Sequence, residues 1–404
     1  MRDISTELIH HPYTPPEGFV APQPGVFKAS TVIFSNVAAM RQREWKDKTG
    51  YTYGLHGTPT TYVLEERLCT LEGGHQCLLL PSGLAAIANV ALALLKTGDE
   101  LLIPDNAYGP NKTLAEGELK AWGIRHQFYD AMNPADLERK IGPKTKLIWI
   151  EAAGSVTLEF PDLPELVRIC RRHGVTCALD NTWGAGLAFK PFELGAEGED
   201  KLGVDISIHA LTKYPSGGGD VLMGSVITRD EALHIRLKLS RMRLGFGVGI
   251  NDVEAILRAL PSMALRYAAH DRSARALALW CQDQAEIVQV LHPALPDSPG
   301  HAHWQALCTN MGREEGGAAG LFSILLAPRF TADQVDAFCD ALRLFKIGYS
   351  WGGPISLVVP YDLATMRSVW PAHLARGHLV RFSVGLEGAA DLQADLRQAL
   401  ATLT

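Results

Sequence analysis

The chain has 404 residues, 47% of them hydrophobic and 20% charged, with a formal net charge of −6. That make-up suits an ordinary globular protein long enough for two domains, and it leaves no basic footprint for nucleic acid or an anionic membrane. Seven cysteines are scattered without a CxxC pair, which argues against a disulfide framework or a zinc site and for a reducing cytoplasm.

In chain order, the opening "MRDISTELIHHPYTPP" lacks the apolar core of a signal peptide. Residues 1–60 are rich in Pro, Gly and Thr and weakly periodic. Their aromatic residues predict an ordered arm packed on another subunit, against the alternative of a disordered tail. A Thr-rich turn then opens a helix over 64–71, with Glu65 and Glu66 favourable in its first turn. The apolar run 77–95 is long enough to cross a membrane, but Pro81, Ser82, Gly83 and Asn89 interrupt it. It reads as a buried strand, a turn and a buried helix.

Over 61–258, short apolar runs at 77–80, 101–103, 147–151, 176–180, 205–208 and 224–228 alternate with helical stretches at 83–96, 112–122, 135–141 and 163–173. That alternation predicts an α/β fold with a mostly parallel sheet covered on both faces. From 259 to 404 the pattern changes. One continuous helix is expected over 260–284, another over 332–345, and strands within 320–327, 356–360 and 379–386. The expected second unit is a smaller α+β domain of antiparallel strands with helices on one face.

Chemistry gathers on the stretch "DISIHALTKYPSGGGD", residues 205–220. A strand ends there in Thr212 and Lys213 and then a glycine cluster. A lysine held in a cleft at that junction loses charge by desolvation and becomes a nucleophile for carbonyls; alone, it also reads as a surface lysine before a flexible loop. The run 176–180 ends in Asp180, and the carboxyl ends of parallel strands form the ligand crevice of such sheets. A lysine imine opposite an acid that protonates a pyridine nitrogen is what pyridoxal phosphate requires. Ser82, Gly83 and Leu84 open a helix whose free N–H groups suit an anion, or they form a plain strand-to-helix turn. Arg381 lies inside a strand-like run, costly unless it meets an anion, which a structural ion pair would also supply.

The strings "ALDNTWGAG" and "DISIHALTKYPSGGGD" resemble the pyridoxal-phosphate enzymes of cysteine and methionine metabolism, over about residue 25 to the C-terminus. The resemblance implies a fold-type I enzyme that carries pyridoxal 5'-phosphate on Lys213. Asp180 would face the ring nitrogen, Tyr108 would stack on the ring, and Gly83, Leu84 and Thr212 would hold the phosphate. Tyr53 of the arm would reach the adjacent subunit's site in a homotetramer built from dimers. Arg381 would clamp the substrate carboxylate, helped by Ser350 and Trp351 in "GYSWGGPIS". Trp351 points to the β-lyases of the family, which release homocysteine, pyruvate and ammonia from L-cystathionine. The alternatives are a γ-lyase, a broad cysteine-S-conjugate β-lyase, or a regulator that keeps the cofactor without turnover. Two positions depart from the family pattern. Leu55 stands where an arginine is usual, and Ala210 where many relatives have serine; both remove phosphate partners, and His56 is a neighbour that could compensate in part, which the sequence does not establish.

Overall fold

The computed structural model describes residues 20–195, 202–309 and 315–403, with positions 6, 9, 17 and 18. Seven strands form the larger sheet: β1 (Gln76–Leu80), β2 (Glu100–Pro104), β3 (Arg125–Tyr129), β4 (Thr145–Glu151), β5 (Thr176–Asp180), β6 (Ile206–Ala210) and β7 (Gly224–Thr228). Their order is β1-β7-β6-β5-β4-β2-β3. β7 pairs antiparallel with both β1 and β6, while the pairs β2–β3, β2–β4, β4–β5 and β5–β6 are parallel. Six strands therefore point their carboxyl ends to one edge. Both faces are covered, as parallel sheets require. Leu79, Ile148, Ile150 and Leu179 pack with Leu64, Leu68 and Leu166 on one side, and Leu80, Trp149, Ala178 and Ile208 pack with Ile87 and Val90 on the other.

The second sheet holds β8 (Ile287–Leu291), β9 (Leu321–Leu326), β10 (Lys346–Ile347), β11 (Leu357–Tyr361) and β12 (His378–Ser383), in the order β10-β11-β12-β9-β8. It is antiparallel apart from the short β10–β11 pair. Phe322, Ile324, Val380 and Phe382 pack on Leu277, Phe338, Leu392 and Leu396 from three helices, which fills one face of the sheet. The α/β architecture with a mostly parallel larger sheet and a smaller second one is as the sequence leads one to expect.

Several elements differ from their expected extents, and others match them. β3 is an edge strand with only Tyr129 buried, so its sequence RHQFY carries no apolar run to betray it. The expected helix 112–122 is an α-helical Gly109–Leu114 followed by a π-helical Ala115–Leu119. The long helix starts at Met263, after a 3₁₀ turn Leu260–Ser262 in which Pro261 lacks the N–H to continue an α ladder. The helix expected over 332–345 stops at Ala341, because the Asp395 carboxylate takes the N–H groups of Arg343, Leu344 and Phe345. The apolar run 77–95 is strand, turn and helix Gly83–Leu94, and among the described residues no helix is long and apolar enough to cross a membrane.

Candidate active site

Lys213 sits three residues past the end of β6 in a turn, where its N–H bonds to the Ala210 carbonyl and its own carbonyl accepts from Gly217 N–H. Its Nζ donates to Ser350 Oγ at 2.6 Å and lies 5.3 Å from the centre of the Trp351 ring. Burial lowers its pKa to about 8, helped by the Arg381 charge and opposed by Asp180. A useful fraction of this amine is neutral near physiological pH. Gly352 makes the approach possible: at φ +78° it lies where a Cβ would sit 3.0 Å from Tyr214 N and 3.1 Å from the Lys213 carbonyl carbon. A side chain there would meet both the φ penalty and backbone. Ser350 itself has φ +94°, a strained value for a non-glycine residue of the kind that gathers at functional sites. Its carbonyl accepts from Arg381 Nη2 at 3.5 Å.

Arg381 is 7% exposed, in the middle of β12. Its guanidinium lies 5.3 Å from the Tyr361 ring, and its Nε has no partner. No carboxylate forms an ion pair with it among the described residues. Burial lowers its pKa, and Tyr361 and Tyr349 oppose the shift. A buried guanidinium without an internal anion is costly and suits an anion that arrives from outside.

Asp180 ends β5 beside Glu151, which ends β4 in register with it. Thr182 donates to Asp180 Oδ1 through its N–H at 3.0 Å and its hydroxyl at 2.6 Å, and Ala210 N–H in turn donates to that hydroxyl at 2.9 Å. Burial raises both carboxyl pKa values. For Asp180 the two Thr182 bonds resist the shift; for Glu151 the Asp180 charge adds to it. Burial thus favours the protonated form at both carboxyls, and the Thr182 bonds temper it at Asp180. Tyr108 caps the helix Gly109–Leu114, and its N–H donates to Glu151 Oε2 at 2.8 Å. Burial raises its phenol pKa, with Asp180 and Glu151 adding to the effect. Lys213 feels the charges of Arg381 and Asp180, and Tyr108 those of Asp180 and Glu151, so these groups lie close together.

Ser82 caps the helix Gly83–Leu94 by accepting from Ala85 N–H at 3.0 Å. The N–H groups of Gly83 and Leu84 precede the helical ladder and have no partner within it. A Cβ on Gly83 would lie 2.7 Å from Ala210 Cβ, so this cradle needs glycine. Thr212 is placed differently from the expectation of a free phosphate ligand. Its hydroxyl bridges the Met223 carbonyl and N–H at 3.3 and 3.2 Å, long bonds that a better acceptor can displace. Among the described contacts Tyr53 joins none of this cluster: it is 46% exposed and faces His56 with ring centres 5.9 Å apart. Its loop is held by Arg241, whose Nη1 donates to the Leu55 carbonyl at 2.6 Å.

The structure thus brings together Lys213, Ser350, Trp351, Arg381, Asp180 and Tyr108, with the Gly83–Leu84 N–H groups on the same sheet edge. Glu151, Thr182 and Tyr361 were not singled out from sequence. Glu151 had a usable signal, since it ends the strand beside that of Asp180; Tyr361 had none, because only the β11–β12 pairing sets it near Arg381.

Residues 5–401 match the family model described as "Cys/Met metabolism PLP-dependent enzyme". The cystathionine beta-lyase of Bordetella avium is 38% identical over 410 residues, covering 99% of this chain and 98% of that one. Among solved structures, metB from Corynebacterium glutamicum superposes with a TM-score of 0.84 at 27% identity, covering 100% of this chain and 99% of that one. A cystathionine gamma synthase from Xanthomonas oryzae pv. oryzae gives 0.81 at 29% identity, covering 95% and 94%.

Proposed function

The chain belongs to the pyridoxal-phosphate-dependent enzymes of cysteine and methionine metabolism, and from that premise we propose that it is a carbon–sulfur lyase that cleaves L-cystathionine at Cβ. The products are homocysteine, pyruvate and ammonia. The observation that carries the reading is the meeting of a desolvated Lys213, an Asp180 held by two Thr182 bonds and a buried Arg381 whose Nε has no partner.

The residues present fit the cofactor. The Gly83 and Leu84 N–H groups would hold the phosphate, joined by Thr212 once its bonds to Met223 yield. Asp180 would pair with the ring nitrogen, Tyr108 would cover the ring, and Lys213 Nζ would be the point of attachment. Pyridoxal phosphate, when bound, supplies an electron sink for the charge left at the substrate Cα. Arg381 grips the substrate carboxylate through its planar fork, a bidentate, charge-assisted contact. Lys213 Nζ would take the substrate Cα proton as general base, a role worth about 10²–10⁴ in rate. Ser350 Oγ accepts from Nζ and so fixes where that base waits.

β-Elimination needs only this one deprotonation, whereas γ-elimination needs a second at Cβ. Trp351 bears on the choice, because its ring lies beside Lys213 Nζ and is braced edge-on against Tyr214 at 5.6 Å. It narrows the reach of the amine beyond Cα. Purified protein given L-cystathionine is expected to release pyruvate and homocysteine in equal amounts, read by chromatography of the keto acids. Dominant 2-oxobutyrate with cysteine would replace the β-lyase reading with the γ-lyase one, and no keto acid at all would leave a non-catalytic regulator.

Residues 1–60 complete the neighbouring subunit's site through Tyr53 in a cytoplasmic homotetramer of dimers, and the chain divides near residues 60 and 258. The exposed Tyr53 and the apolar Phe27, Ile33 and Val37 of this arm support that part of the reading. With Leu55 in place of the family arginine, the phosphate has fewer cationic partners. Leu55→Arg is expected to slow loss of cofactor on dialysis, followed by the visible absorbance of the retained protein; unchanged or faster loss would mean that another cation already fills the role.

A further inference from the structure

A second charged cluster lies under the loop that carries Tyr108, and none of the steps above uses it. Glu159 is fully buried and accepts from Arg367 Nη1 at 2.9 Å, Asn106 Nδ2 at 2.9 Å and Thr157 Oγ1 at 2.8 Å, with His373 Nε2 at 2.5 Å. Burial alone would raise its pKa, but these partners outweigh it and hold the carboxyl at about 2. Arg367 also reaches Asp105 Oδ2, through Nε at 3.0 Å and Nη2 at 2.9 Å. Lys112 adds a third tie, with Nζ donating to the Asp105 carbonyl at 3.0 Å and the Met366 carbonyl at 2.6 Å.

Asp105 and Asn106 lie three and two residues before Tyr108, on the carboxyl edge of the larger sheet. Met366, Arg367 and His373 lie between β11 and β12, which end in Tyr361 and carry Arg381. The cluster is thus a bridge between the wall that holds Tyr108 and the strands that hold the carboxylate clamp. Stability alone explains it poorly, since buried ion groups are often matched by apolar residues of similar volume. Fixed geometry explains it well: one planar guanidinium shared by two carboxylates sets their separation in a way a flexible ammonium cannot.

We propose that Arg367 is a positioning residue of the active site, which sets Tyr108 against Arg381 by bridging Asp105 and Glu159. The inference rests on the role given to Tyr108 above. The test uses the cofactor-loaded protein, with Arg367→Met, Arg367→Lys and Asp105→Asn measured alongside it. Three readings are taken: amide hydrogen exchange of residues 104–112, visible circular dichroism of the bound cofactor, and kcat and KM with L-cystathionine. The expected result is faster exchange confined to 104–112, weaker cofactor ellipticity, and kcat roughly tenfold lower with KM little moved. That is less than the 10²-fold a misplacement of about 1 Å can cost.

Arg367→Lys keeps the charge but not the fork and should show the same signs more weakly; with Asp105→Asn it decides the matter if Arg367→Met does not fold. Unchanged exchange at 104–112 overturns the proposal. So does an exchange increase spread over the whole chain with normal ellipticity and kcat, which marks a merely structural ion cluster. Wild-type protein that releases no keto acid contradicts the function proposed above, while exchange and ellipticity still decide the role of Arg367.

Discussion

Lys213→Ala is expected to give a folded, colourless protein with no measurable keto acid release. On the proposed roles the substitution removes both the attachment point and the base, so the loss should exceed the roughly 10²–10⁴-fold assigned to a positioned base alone. Folding should not suffer, because the side chain's hydrogen bond is a single one to Ser350 Oγ and its buried charge is a cost. The sign follows from the lowered pKa, about 8 in the fold against 10.5 free. Between those values the unfolded chain binds more protons, so stability of the apo-protein rises with pH there. Below pH 8 the penalty is complete, and there the alanine variant is expected to melt at or above the wild type. The same pKa governs loading: uptake of cofactor by apo-protein should quicken with pH up to about 8 and then level off. Borohydride should fix the cofactor to the peptide containing Lys213, and labelling at another lysine would refute the assignment.

How much of this site sequence could show depends on how each residue is held. Lys213 and Asp180 were legible because parallel strands present their last residues at a common edge, and the edge follows from the strand pattern alone. Gly83 was legible as a helix start; the reason for the glycine, its approach to Ala210, was not, because β1 and β6 meet only through β7. Arg381 could be recognised as a charge out of place. Its lack of an internal anion could not, since that depends on which side chains of the neighbouring strands reach it. The bridge of Arg367, Asp105 and Glu159 was invisible for the same reason: its members are 262 and 208 residues apart along the chain. Edge strand β3 escaped because one face is solvated and the other barely covered, so no apolar period survives in its sequence.

Arg381→Met is expected to lower kcat/KM with L-cystathionine while leaving the visible spectrum of the bound cofactor nearly unchanged. The variant forgoes a hydrogen bond between charged groups, worth about 1.5–3 kcal/mol, or roughly 10–10²-fold in kcat/KM. Two readings of Arg381 compete, and stability separates them. As half of a structural ion pair, its removal would strand a buried carboxylate and cost about 3–5 kcal/mol of folding free energy, with activity of the folded fraction kept. No carboxylate pairs with it among the described residues, and its Nε is without a partner. The methionine variant, similar in bulk and uncharged, should therefore melt no lower than the wild type. Methionine at 381 keeps the apolar packing on Tyr361 but offers no fork to an anion, so on the proposed role the drop in kcat/KM reports the lost grip on the substrate carboxylate. Amidating that carboxylate should impair the wild type and leave the variant indifferent. A variant that discriminates acid from amide as strongly as the wild type would place the carboxylate clamp on another residue.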